Sequence, residues 1–265
     1  MDINEVLTGV DRLFSANRIS EVERYLTQML SEAEYENDRD AIMTIYNELI
    51  NFHRTTGESD KALYFCRQAL RYAKRENLED NVRYGMILMS VGDANRMAGN
   101  LLEALAYYRK AEEVYLAQLG SADIRLAAYY KSVAVLYQEL GDYDNAATAL
   151  GKALKIIERH ENAGNEIVAT YASLGECLLR SGKLEEAKDR LSDAVRRYQL
   201  KGDRGEHYCA ALSALAEVWY REGSYEQALG YYELAAEGIY RIYGDNETYK
   251  VILGNIETVK AKIQQ

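Results

Sequence analysis

Apolar and polar residues follow the helical period along most of the chain, and the phase of that pattern returns every 41 or 42 positions. Gly57, Gly99, Gly141, Gly182 and Gly223 mark the return, each standing between two amphipathic helical segments. Eight positions before these glycines stand Leu49, Val91, Val133, Leu174 and Leu215, and eleven before stand Tyr46, Leu88, Tyr130, Tyr171 and Leu212. Seven before are Ile50, Gly92, Ala134, Gly175 and Ala216, small in four of the five copies. Five after are Ala62, Ala104, Ala146, Ala187 and Ala228; twelve after are Ala69, Ala111, Ala153, Ala194 and Ala235. Seven residues make almost two helical turns, so both alanines share one face of the second helix. A face limited to methyl groups lets a neighbouring helix approach closely. The first helix offers a large apolar knob beside a small notch, and the glycine supplies a left-handed turn.

This pattern predicts an all-α fold of antiparallel helix pairs, about thirteen helices in one domain over residues 1–265. Five clear repeats fill residues 38–243. Residues 2–35 read as a degenerate first pair turning at Asn17-Arg18, with Ile19, Val22 and Met29 at the corresponding apolar positions. Residues 247–264 read as a capping helix with Leu253 and Ile256 facing back. Short polar loops are expected at residues 76–81, 120–123, 161–165, 201–206 and 244–246. Proline is absent, where average usage would give roughly thirteen, which fits a chain that is almost entirely helix.

Small residue, glycine turn and two alanines at these offsets resemble the tetratricopeptide repeat. The family's usual period is 34 residues, and an extra turn on each helix of a pair, roughly 7 residues, accounts for the longer step. Long repeats of this kind are similar to those of kinesin light chain and its bacterial relatives. The proline that often closes a family repeat is missing. The resemblance implies that the pairs wind into a right-handed superhelical solenoid and that the first helix of each lines a concave groove. It also implies that the chain is a non-catalytic adaptor or scaffold for a protein or peptide ligand. The family's offsets place Asn47, Asn51, Arg54, Ser90, Asp93, Arg96, Lys131, Gln138, Ser173, Glu176, Arg180, Glu217, Tyr220 and Arg221 on that groove. Arg54, Arg96, Arg180 and Arg221 recur at one end of the first helix, with Gln138 interrupting the series. Arginine's planar donor fork suits carboxylates and peptide carbonyls, which points to a bound segment of acidic character. The competing explanation is ordinary helix-surface pairing through Asp93–Arg96, Glu176–Arg180 and Glu217–Arg221. Only Asn47 remains of the paired asparagines typical of kinesin light chain grooves, and the full carboxylate clamp of chaperone-type relatives is missing.

Charge and candidate chemistry narrow the choice further. With 32 basic against 42 acidic residues the net charge is −10, which disfavours a nucleic-acid partner. No apolar run is long enough for a membrane span, and the first residues lack a secretory pattern, so a cytoplasmic protein is expected. Cys66, Cys177 and Cys209 are far apart and read as reduced, buried thiols. His53, His160 and His207 have no metal-ligand spacing, and His53 reads as a packed histidine in a slot held elsewhere by Tyr137, Leu178 and Trp219. No phosphate-binding glycine loop or nucleophile motif is present, so neither enzyme chemistry nor a cofactor is expected. Twenty-three tyrosines, some in pairs such as Tyr107-Tyr108 and Tyr231-Tyr232, suit both core and binding surface. Two other functions fit the same pattern. One is a peptide-responsive bacterial signalling regulator, disfavoured because no basic recognition helix precedes the repeats. The other is a module that self-assembles through its end helices; oligomeric state is open.

Overall fold

The computed structural model describes residues 1–160 and 164–265; of the expected loop at 161–165, residues 161–163 lie outside the described residues. Two compact units divide the chain, Met1–Ser132 and Val133–Gln265. The first holds α1 (Ile3–Ser15), a single 3-10 turn at Ile19–Glu21, α2 (Val22–Glu36), α3 (Arg39–Thr55), α4 (Ser59–Arg75), α5 (Val82–Met97) and α6 (Leu101–Gln118). The boundary falls within α7 (Ile124–Glu139). The second unit continues with α8 (Tyr143–Ile157), α9 (Gly164–Arg180), α10 (Leu184–Leu200), α11 (Glu206–Arg221), α12 (Tyr225–Tyr243) and α13 (Glu247–Ile263). Among the described residues there are thirteen α-helices and no strand, and the fold class is the all-α repeat of antiparallel helix pairs. None of these helices is long and apolar enough to cross a membrane.

Local chemistry sets the helix ends. Asp38, Asn81, Asp142 and Asn246 each accept a backbone N–H of the following first turn on their side-chain oxygen. The five phasing glycines all adopt positive φ, between 75° and 81°, and terminate the first helix of each pair. At the Gly57 turn the Gly57 N–H donates to Arg54 and the Glu58 N–H to His53, closing the left-handed cap. Asn17, Asn37 and Asn77 take the left-handed conformation where no glycine is present.

The repeat's apolar offsets form the core. All ten phased alanines are at most 1% exposed. The notch also has its expected occupant. A methyl added to Gly92 would stand 2.5 Å from the Tyr108 ring, and one on Gly175 would stand 2.5 Å from Leu191 Cγ. Tyr108 and Leu191, nine positions after the turn glycines Gly99 and Gly182, are fully buried, so the notch of one helix takes the knob of its own partner helix. Within each unit, consecutive pairs stack: α5 packs on both α3 and α4, and α11 on both α9 and α10.

Three expectations shift at the edges of the pattern. Ile19 falls in the 3-10 turn and is 40% exposed, whereas Val22 is buried and Met29 half-buried. On α13 the residues that face back are Ile252, Ile256 and Val259; Leu253 is 38% exposed, because the inward face runs i, i+4, i+7 from Ile252. In α7, Tyr129 takes the buried place and Tyr130 is only half-buried, its ring edge-on to Tyr129 at 5.0 Å.

Candidate functional site

In the first unit a cleft of about 350 Å³ opens between the first helices of the pairs, with side chains from α1, α3, α5 and the start of α7. Leu7, Met43 and Met86 give it apolar walls, and Asn47, Glu48, Arg83 and Arg125 supply the polar groups. Arg83 is held by Asp40 at 3.4 Å and Arg125 by Asp123 at 2.7 Å, so both cations arrive already paired. Burial pushes the Glu48 carboxyl above its usual range, opposed by a hydrogen bond with Asn47. Glu48 was legible by phase, nine before Gly57, but its type differs from the small residues at that offset elsewhere.

Five of the sequence-derived positions meet beside this cleft. The Ser90 hydroxyl donates to Asn47 Oδ1 at 2.7 Å and also lies 3.3 Å from Asn51 Oδ1. Arg54 reaches Asn51 at 3.5 Å and Asp93 at 3.8 Å, and Asp93 accepts the Tyr108 hydroxyl at 2.5 Å. Asn47 and Ser90 are only 8% and 7% exposed, so although Asn47 borders the cleft, neither presents much surface to the groove on which both are expected. They tie α3 to α5, since a polar group at a helix–helix contact must find a partner there. Burial, and then Asp93, raise the Tyr108 phenol pKa, with Arg96 acting in the opposite sense. Lys131 is half-buried on α7 and borders neither of the two main clefts.

The second unit carries a larger cleft, about 480 Å³, framed by α9, α11 and α13 with α12 behind. Leu179, Cys209, Ala210, Ala214, Val251 and Ile252 form its apolar surface. Glu176, Arg180, Ser213, Glu217, Arg221 and Asn255 stand among them. A relay fixes one wall. Tyr232 donates its hydroxyl to Glu217 at 3.0 Å, Glu217 accepts Arg221 Nε at 2.7 Å, and Arg221 also donates to the Leu179 carbonyl at 3.3 Å. Burial first, and then Glu217, push the Tyr232 phenol up, so it stays a donor. Burial likewise raises the Cys209 thiol. Arg180 is exposed and makes no ion pair among the described residues, Glu176 included. Of the expected intrahelical pairs in this unit, only Glu217–Arg221 forms.

The arginines therefore differ in what they can offer. Arg54 and Arg221 are committed to neighbours within the fold, whereas Arg180 is open to solvent at the cleft. Ser173 lines a smaller pocket of about 160 Å³ together with Glu176, Leu191, Tyr198 and His207. Gln138 donates to Cys177 Sγ at 3.0 Å and is spent on packing. Tyr220 is not on the cleft; its ring packs on Tyr225 at 5.6 Å. Thr248, Val251 and Asn255 were missed because α13 has no phasing glycine after it from which to count.

The tetratricopeptide repeat profile matches residues 41–117 and 124–200, and a second profile of the same description matches residues 173–246. Kinesin light chain-related protein 2 of Arabidopsis thaliana is 20% identical over 165 residues, which is 62% of this chain and 25% of that protein. The chain thus spans a quarter of that relative's length. Among solved structures, apo RapI aligns over 99% of this chain and 72% of its own, with TM-score 0.79 and 14% identity. YrrB, described as a tetratricopeptide repeat protein with an unusual peptide-binding site, aligns over 86% and 97%, with TM-score 0.61 and 18% identity. Phased alanines, left-handed glycine turns and stacked hairpins agree with these matches, and the chain belongs to the tetratricopeptide repeat family, in its long-repeat, kinesin light chain-like form.

Proposed function

We propose that the chain is a non-catalytic adaptor that holds a protein segment in the cleft framed by α9, α11 and α13. The observation that carries this is the combination of an apolar surface, a wall fixed by the Tyr232–Glu217–Arg221 relay, and the exposed, ion-pair-free Arg180 at its edge. Leu179, Ala210, Ala214 and Val251 offer apolar area to one or two side chains of the segment, and Arg180 offers a guanidinium fork to a carboxylate. An acidic residue flanked by aliphatic ones is the chemistry that matches. The peptide-binding site named for YrrB supports a peptide as the ligand class in this fold. The repeat phase runs on from Gly99 to Gly141, which supports one array over residues 1–265. Net charge −10 argues for a protein rather than a nucleic-acid partner, and three buried free thiols suit a reducing cytosol.

The test is fluorescence anisotropy with a library of short acidic and neutral aliphatic peptides against wild type, Ala214→Trp and Arg180→Ala. Tryptophan at 214 fills the cleft from its α11 side. We expect it to weaken every hit at least tenfold with an unchanged circular dichroism spectrum, and Arg180→Ala to weaken the acidic peptides selectively. Binding that survives Ala214→Trp would place the ligand elsewhere. Hits indifferent to Arg180→Ala would remove the acidic preference.

A further inference from the structure

Outside the clefts, one cluster has a ring of contacts with a single gap. His53, near the end of α3, is fully buried. Phe65 stacks on its ring at 5.3 Å, and Phe52 packs edge-on at 5.0 Å. Its Nδ1 lies 2.8 Å from Glu58 Oε2 in the turn that leads into α4. Glu58 also meets the Lys61 ammonium at 3.1 Å through its other oxygen, and beside that cation it is a carboxylate, which accepts only. Nδ1 therefore carries the hydrogen, and in the neutral imidazole the lone pair is on Nε2.

That nitrogen has no hydrogen-bond partner. The atom it faces is Glu23 Oε1 on α2, 3.7 Å away and also an acceptor. Lys61 completes the ring from the far side, 2.9 Å from Glu23 Oε2 and 3.1 Å from Glu58 Oε1. Every junction around Lys61–Glu23–His53–Glu58 pairs a donor with an acceptor except this one, where two acceptors meet across a space that calls for a cation.

We propose that His53 Nε2 and Glu23 Oε1 bind a divalent transition-metal ion of the zinc type. Zinc takes imidazole nitrogen at about 2.0–2.1 Å and carboxylate oxygen at about 2.0–2.2 Å, which sets two tetrahedral ligand atoms about 3.4 Å apart. Closing 3.7 Å to that distance takes a few tenths of an ångström from Glu23, whose side chain is 39% exposed and flexible. Lys61 keeps its contact, because it uses the other oxygen of Glu23. Glu58 fills the orienting role of a carboxylate that fixes the tautomer and direction of a metal-bound histidine. Water completes the coordination. The bound ion clamps α2, the last helix before the first clear repeat, onto α3 and α4 of that repeat. Sequence spacing could not show this, because Glu23 lies thirty positions before His53 in the chain.

The probe is zinc chloride, titrated calorimetrically into the full chain at pH 7.5, with cobalt(II) absorption reporting the ligand geometry. The variants are Glu23→Gln, on an exposed side chain whose loss leaves the core intact, and a His160→Gln/His207→Gln double variant that removes the other imidazoles. We expect one zinc per chain in wild type and in the double variant, and binding at least tenfold weaker in Glu23→Gln at an unchanged melting temperature of the metal-free protein. No zinc bound by wild type at pH 7.5 would overturn the proposal. Affinity unchanged by Glu23→Gln, or lost in the double variant, would overturn it equally.

Discussion

The alanine variant of Gly175 isolates the close approach on which each repeat depends. Gly175 sits inside α9, where helix propensity alone favours alanine over glycine by about 0.8–1.0 kcal/mol. Packing opposes it. The new Cβ would lie 2.5 Å from Leu191 Cγ, 2.9 Å from its Cδ2 and 3.2 Å from its backbone nitrogen. Leu191 is fully buried, and although its side chain borders the small pocket beside Ser173, the contact with its backbone nitrogen would force α10 away from α9. Inserting one carbon into a filled core costs about 1–3 kcal/mol, which exceeds the propensity gain. Gly175→Ala should therefore destabilise the chain by roughly 1 kcal/mol. Gly151 and Gly230 are also inside helices, α8 and α12, but nothing lies within 4 Å of an added Cβ there. Alanine at either should stabilise by about 0.8–1.0 kcal/mol, so one substitution changes sign with the space available. The assay is urea unfolding followed by circular dichroism, comparing midpoints at unchanged slope. In a Leu191→Ala background the Gly175→Ala penalty should shrink, since Cγ and Cδ2 are gone and only the 3.2 Å backbone contact remains. A midpoint for Gly175→Ala at or above wild type would refute the notch-and-knob account.

Two other perturbations test separate parts of the structure. Gly223→Ala adds a side chain at φ +79° with open space around it, so the penalty comes from the left-handed backbone alone, about 1–2 kcal/mol. A lowered melting temperature checks it, and a melt unchanged from wild type would show that the turn does not require glycine. Burial pushes the Cys66 thiol up to about 12 and the Cys177 thiol to about 11. Unfolded thiols ionise near 8.5, so between that pH and the folded values the unfolded chain has lost protons that the native chain retains. Stability from both groups is therefore intact below about pH 8 and declines as pH rises, by up to about 1.4 kcal/mol per pH unit for each thiol. Urea midpoints at pH 8 and pH 10 should fall accordingly, less steeply in Cys66→Ala, and the native thiols should resist a thiol-specific reagent until urea unfolds the chain.

Some of this was legible in the sequence because it rests on a residue type that one physical role demands. Ten phased alanines are buried because no larger side chain permits that helix separation, and five glycines turn left-handed because other residues resist it. Where roles are less exclusive, sequence alone falls short. Ser90 and Asn47 have polar side chains that suit either water or each other, and the structure joins them across α3 and α5. Arg54 and Arg180 share a position class, yet Asp93 lies within reach of the first and no carboxylate pairs with the second. Asn255 and Val251 reach their cleft from α13, whose register has no following turn to set it. The His53 cluster depends on which carboxylate a different hairpin brings near, which a linear spacing does not encode.

The notch-and-knob contact also bears on how the chain reaches its native state. Gly92 with Tyr108 and Gly175 with Leu191 are each only sixteen residues apart along the backbone. Closing so short a loop carries a small entropic penalty, and proteins dominated by such local contacts fold quickly. The contact within a hairpin can thus form early, and stacking on the neighbouring hairpins then buries the rest of its apolar face.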